Sequence, residues 1–338
     1  MSVRSVVIAG AAVLLFSCRR TPNPSPPAAS SVVPAAAVSA AGAKSQKQLN
    51  EKAPKLLEPT TLVEMPISAY PTSLALDDDV VYLLTSNAAY KLTEGQPVQG
   101  IELDLGIGPV VTESAIIFWS KGSIWGAPKH GGEVRALAKL PHQPQYFVAE
   151  KGHLAWVDHS DAGPYTIQSL DGRKPRVLVT ASGELSALTM IADSVFFVQR
   201  AEDNSWRVGR ARVQGGDVEY STSRTGQTPA MLTGTESLVY YDMKTSEIRR
   251  LQTDLQHEET WLKDFVCTPL YESINVYCAC VEGLFEVRAT DHKPHVLIYG
   301  RHETITYIRA NSKYIVWTVD KGPDKLAVYR LPVVATRD

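Results

Sequence analysis

Apolar and polar positions along this chain fall into a short unit that recurs seven times. An apolar pair is closed by an aromatic residue, a polar turn follows, and then comes a second apolar strand often ended by glycine. The closing aromatics are Tyr82, Phe118, Trp156, Phe197, Tyr240, Tyr277 and Trp317, with gaps of 36, 38, 41, 43, 37 and 40 residues. A repeat of this length, built from short apolar strands between turn residues, predicts blades. The third copy shows the plan. Tyr146-Phe147-Val148-Ala149, Leu154-Ala155-Trp156-Val157, Tyr165-Thr166-Ile167-Gln168 and Val177-Leu178-Val179 read as four strands. Between them stand Lys151-Gly152, Asp161-Ala162-Gly163-Pro164 and Asp171-Gly172, whose residues accept positive φ or preset a bend. Nothing in it reads as helical.

A four-stranded sheet with apolar residues on both faces cannot hide both by itself. Packing such sheets face to face around an axis solves the problem, so the fold class is all-β, a seven-bladed β-propeller with four-stranded blades. An open solenoid would need polar end caps, and no repeat at either end is atypical. The seventh copy holds Ile305-Thr306-Tyr307-Ile308, Tyr314-Ile315-Val316-Trp317 and Leu326-Ala327-Val328-Tyr329, and then the sequence ends at Asp338 one strand short. Leu62-Val63-Glu64-Met65-Pro66 aligns with Leu137-Ala138-Lys139-Leu140-Pro141, the last strand of the second copy. An N-terminal strand near 60–66 is therefore expected to complete the last blade, closing the ring and shielding an open edge.

Ile116-Ile117-Phe118-Trp119, leading to Pro128-Lys129-His130-Gly131-Gly132, resembles the blades of the broad YWTD, NHL and YVTN-like group of bacterial propellers. The resemblance spans nearly all of the repeat region. It implies a shape with binding at one end of the central channel, and no shared chemistry. The Trp-Ser-Pro-Asp-Gly repeats of the Tol-system propeller are missing. So are the spaced Gly and Trp of the propeller lipoprotein that assists outer-membrane barrel assembly.

The N-terminus carries an address. Arg4 precedes the apolar run Val6–Phe16, which is too short to cross a membrane as a helix and reads as an export signal over 1–17. Leu15-Phe16-Ser17-Cys18 resembles the lipobox of bacterial lipoproteins, which implies lipidation of Cys18 with a thioether-linked diacylglycerol. Several acyl chains anchor a protein stably where one would not. Arg19 in place of Asp implies delivery to the outer membrane, facing periplasm or exterior. The alternative is a plain secretory signal with an incidental cysteine. Residues 18–58 follow as a tether rich in Pro, Ala and Ser, with Lys44, Lys47, Lys52 and Lys55 and too few large apolar groups to offset ordering entropy. About 40 such residues reach on the order of 35 Å. The propeller is assigned to 59–338.

Net charge is −2, from 34 basic and 36 acidic residues, so no electrostatic footprint for nucleic acid appears. Beyond Cys18 the cysteines are Cys267, Cys278 and Cys280, all in the sixth copy. In an oxidising compartment a disulfide is expected. A two-residue turn at Glu272-Ser273 would face Cys267 to Cys278, with Cys280 the runner-up because a slip at the turn shifts the register. A zinc site at these cysteines lacks structural-site spacing.

Catalytic signatures are largely absent: there is no phosphate loop, His-Glu-x-x-His, Gly-x-Ser-x-Gly or Cys-x-x-Cys. Ser160-Asp161-Ala162-Gly163 fails the Asp-box pattern, since His159 stands where the serine belongs. No cofactor or metal is implied. In a propeller the turns between second and third strands and the blade-to-blade connections share one end. That places His142, Asp158, His159, Asp161, Asp203, Asp242, His302 and Asp320 on a candidate binding rim around the channel mouth, while His153, His292 and His295 fall on the other end. The rim residues would suit a cation or an acid–base pair, although Asp also favours turns for its local hydrogen bonds. Asp77-Asp78-Asp79 reads as a charged hairpin tip. Three functions follow: a non-catalytic scaffold or receptor for envelope proteins or a small ligand; an envelope hydrolase or lyase acting through His142, His159 and Asp158; or a self-assembling structural lipoprotein.

Overall fold

Each copy of the repeat folds into a small antiparallel sheet of consecutive strands. The structure, a computed structural model, describes residues 58–66, 71–85, 87–102, 107–130, 132–160, 163–171, 174–229, 234, 236–242, 244–264, 268–272, 275–280, 283–299, 304–311, 313–322 and 325–333. The expected lipidation residue Cys18 and its tether lie outside them. Blade 1 comprises Pro71–Asp77, Val80–Thr85, Ala88–Leu92 and Gln99–Glu102. Blade 2 comprises Ile107–Val111, Ala115–Ser120, Ser123–Pro128 and Arg135–Lys139, and blade 3 Phe147–Glu150, His153–Asp158, Tyr165–Asp171 and Lys174–Ala181. Blade 4 holds Glu184–Ile191, Ser194–Arg200 and Ser205–Arg212, with an outer strand split into Glu219–Tyr220 and Arg224–Thr225. Among the described residues blade 5 shows Leu238–Asp242, Glu247–Leu251 and Glu258–Lys263. Blade 6 comprises Thr268–Glu272, Val276–Cys280, Gly283–Val287 and Pro294–Tyr299, and blade 7 Thr304–Ala310, Tyr314–Asp320 and Lys325–Pro332.

The last blade is completed from the other end of the chain. Thr60–Pro66 pairs antiparallel with Lys325–Pro332, Met65 facing Leu326 and Glu64 facing Ala327, as the sequence alignment anticipated. The innermost strands of blades 7 and 1 then touch, and Tyr307 donates its hydroxyl to the Pro71 carbonyl at 3.2 Å. The molecule is a seven-bladed β-propeller.

Its core lies between blades, because each sheet buries apolar residues on both faces. Tyr82, Leu84, Ile116 and Phe118 fill the seam between blades 1 and 2, Ile117, Leu154 and Trp156 the next, and Val157, Leu185 and Phe197 the third. Seven clusters of this kind correspond to the seven seams. All seven repeat aromatics are buried. Five of them face the preceding blade. Tyr82 and Tyr277 face the following one, so in blades 1 and 6 the apparent repeat is one residue out of phase. In blade 6 the slot facing backwards is held by Val276 and Cys278, against Val239 and Trp261.

That phase corrects the expected Cys267–Cys278 disulfide. Cys278 is a free, fully buried thiol, and burial pushes its pKa far up. The hairpin turns later than the sequence reading assumed. Glu272 faces Val276, and a bulge between Pro269 and Tyr271 brings Thr268 opposite Ala279. Cys280, one step beyond that pair, is the disulfide-bonded residue of this strand. Position 267 lies outside the described residues.

The innermost strands share a further feature. A bulge interrupts the pairing between first and second strands in blades 1, 2, 4, 6 and 7. In blade 3 the Val157 carbonyl accepts from Gln145 N–H while its own N–H donates to Tyr146, again two residues against one. The extra residue kinks the strand at the end that carries the blade-to-blade connections. Pro71 opens the innermost strand of blade 1, a position that needs no ladder N–H.

Candidate functional site

The rim aspartates sit where strands turn, and most are occupied by the turn itself. Asp203 accepts the Ser205 N–H at 2.8 Å, and hydrogen bonds from Ser205 hold its carboxyl below the usual range. Asp242 accepts the N–H groups of Lys244 and Thr245, and Asp320 accepts that of Gly322 at 2.9 Å. These are side-chain-capped turns, in which the carboxylate satisfies backbone donors that no strand partner reaches. Asp161 and His302 lie outside the described residues.

One pair of the expected rim does converge. Asp158 ends the second strand of blade 3, and Gln168 on the third strand donates to its Oδ2 at 2.9 Å. His142, on the connection from blade 2, brings Nδ1 to 3.3 Å from Oδ1. The carboxylate is 12% exposed and the imidazole 43%, so the histidine covers the aspartate and keeps its own face in solvent. His159 does not join them: its ring stacks on Tyr165 with centroids 3.8 Å apart. The three residues named for a catalytic site thus divide into a pair and a stack.

A second constellation was not found from the sequence. It fills the crevice between the outer parts of blades 4 and 5, around a cavity of 410 Å³. Tyr240, fully buried, donates its hydroxyl to Glu258 Oε1. Arg224 donates to the same oxygen at 2.9 Å and Arg249 to Oε2 at 3.4 Å. Burial, and then the bond to Glu258, hold the Tyr240 proton far above its ordinary pKa. Arg249 also donates from Nε and Nη2 to Glu247 Oε2, at 3.0 and 2.7 Å. Trp206 meets Tyr240 edge-on at 5.5 Å, and the Arg224 guanidinium lies over its indole at 5.2 Å. The signal available was charge alternation: Glu247 and Arg249 share one face of a strand, as do Glu258 and Thr260 of its neighbour.

A larger, more apolar groove of 760 Å³ opens between blades 2 and 3, over Ile117, Leu137, Leu154 and Leu170. Among the described residues, no three His, Cys, Asp or Glu side chains are grouped to hold a metal ion.

No protein-family model matches the chain, and no curated protein matches it. The resemblance to the YWTD, NHL and YVTN-like group therefore rests on the quoted residues alone, and no family is shown. Solved structures do match in fold. A catalytically inactive virginiamycin B lyase from Staphylococcus aureus, with quinupristin, is similar at 15% identity and a TM-score of 0.58, over 81% of this chain and 100% of that one. The AfRom2 CNH domain is similar at 11% identity and 0.55, over 81% and 99%. A chain of the mitotic checkpoint complex reaches 0.59 at 12% identity, over 83% and 98%. At these identities the likeness concerns the fold, and the functions of the three proteins differ.

Proposed function

We propose that this chain is a non-catalytic binding module: a propeller anchored by lipid at Cys18, carried on the 18–58 tether and presenting its loop-bearing end to envelope proteins or a small ligand. The observation that carries this reading is the occupation of the rim carboxylates. Asp203, Asp242 and Asp320 each hold their own turn, so they stiffen a display surface and do not converge as acids and bases. Delivery to the outer membrane belongs to the same proposal and rests on Leu15-Phe16-Ser17-Cys18 followed by Arg19.

Two measurements test it. Full-length protein expressed in a Gram-negative envelope is expected to fractionate with the outer membrane, and Cys18→Ser is expected to release it. Retention of the variant in the membrane sinks the anchor. Crosslinking in intact envelopes is expected to trap a defined partner.

A second reading is favoured by the His142–Asp158 pair alone, an imidazole beside a mostly buried carboxylate. Propellers serve lyases as well as binding proteins, so this pair would act as the acid–base couple of an envelope hydrolase or lyase. A turnover reaction abolished by Asp158→Asn, with the melting midpoint unchanged, would replace the binding reading with this one.

A further inference from the structure

The crevice between blades 4 and 5 is built in two layers. Its floor is closed on itself. Glu258 receives Tyr240 and Arg224 on one oxygen and Arg249 on the other, and Arg249 is held a second time by Glu247. An incoming anion would have to compete with Glu258 and Glu247 for the guanidinium groups. A cation would have to compete with the arginines for Glu258. Breaking such a network leaves a partly buried charge without its partner, which is costly.

The upper layer is different in kind. Thr222, Thr225, Gln227 and Gln256 line the cavity, and among the described residues their side chains hold no hydrogen bond within the protein. Hydroxyls and primary amides each donate and accept. Gly226 positions two of them: with φ of +123° it turns the chain between Thr225 and Gln227, and a Cβ there would lie 3.5 Å from the Lys244 side chain. The cavity is within the range of about 300–1,000 Å³ common to small-ligand sites. Its floor side chains are already fixed by ion pairs, so little rotamer freedom is left to lose on binding.

We propose that this crevice binds a neutral polyhydroxylated ligand, a short segment of carbohydrate. Sugar hydroxyls donate and accept at once, which matches the threonine and glutamine layer. Having no charge, they leave the Arg224–Glu258–Arg249 floor intact. The inference rests on the binding-module reading and gives it a ligand class.

The test is calorimetry on the full-length protein in a non-glycosidic detergent. The probes are neutral trisaccharides of glucose, mannose and N-acetylglucosamine, with inorganic phosphate as the charged control. At least one trisaccharide is expected to bind saturably and to change tryptophan emission, and Trp206→Phe is expected to remove that change. The double variant Thr225→Val/Gln227→Leu is expected to weaken binding at least tenfold, about 1.4 kcal/mol, with an unchanged melting midpoint. Failure of all three trisaccharides to bind overturns the proposal, as does saturable phosphate binding lost in Lys244→Ala. Envelope crosslinking of the double variant separates the two readings. A partner still trapped when no sugar binds leaves the binding module standing without its carbohydrate. A turnover reaction that depends on Asp158 removes the module reading itself.

Discussion

Phe197 and Gly209 face each other across the second and third strands of blade 4, and the ring occupies the space that a side chain at 209 would need. The pairing seats a large aromatic in the seam with blade 3 without widening the sheet. Gly209→Ala forces the ring off its position, and overpacking of this kind costs about 1–3 kcal/mol. A fall of that size in urea-unfolding free energy is expected, and an unchanged midpoint would show that the seam has room to spare. Cys278 belongs to the same scale. Its thiol was legible as a residue that packs or pairs, but which of the two depended on a turn that no propensity defines. Glu272 faces Val276 where the sequence suggests a tighter turn, and a bulge follows, so Cys278 is left as a buried free thiol while Cys280 is disulfide-bonded.

At the scale of elements, the outer hairpin of blade 5 is where charge is concentrated. Glu247 accepts from Thr245 at 3.1 Å, from Arg249 at 2.7 Å and from Thr260 at 3.3 Å. Burial by itself would raise its pKa. The bonds from Arg249 and Thr245 outweigh it and hold the carboxyl below its ordinary 4.5. A depressed folded-state pKa stabilises the fold above the unfolded value, and that gain drains away as pH falls through the folded one. Glu247→Gln is therefore expected to destabilise the protein more at pH 7 than at pH 3. Equal urea midpoints at both pH values would contradict this. Strands such as those of blade 3 were legible because alternation and Gly-bearing turns agree. The crevice was not, because Arg224 and Glu258 lie on different blades and come together only when the seam forms. The rim was half legible. The turn ends were placed, but no spacing in the sequence tells an aspartate that caps its turn from one, like Asp158, that meets His142.

On the scale of the whole molecule, seven sheets share their apolar faces and no sheet is complete alone. The tip Asp77-Asp78-Asp79 ties blade 1 to both neighbours. Asp77 pairs with the buried Lys129 of blade 2, and Asp78 with Lys313 of blade 7. Closure by Thr60–Pro66 adds Leu62, Val63 and Met65 to the seam between blades 7 and 1. Replacing Leu62 and Met65 with Asp is expected to lower the melting midpoint by several degrees, at about 1–2 kcal/mol for each half-buried side chain. Trypsin should then cut within Lys325–Pro332, and resistance to it would mean that the seam holds without this strand. Ring closure was readable because the missing strand and its supplier align; the phase slips in blades 1 and 6 were not, since Tyr82 and Tyr277 occupy either face equally well by pattern.

The shared last blade also sets an order of events in the making of the protein. Its final sheet joins Thr60–Pro66 to strands between Thr304 and Pro332, and Tyr307 reaches back 236 positions to Pro71. Contacts this remote form slowly. A nascent polypeptide emerging from a ribosome or translocon thus holds six blades in waiting, their two outermost flanks bare to proteases and chaperones, until the strands from Thr304 to Pro332 arrive and the circle locks.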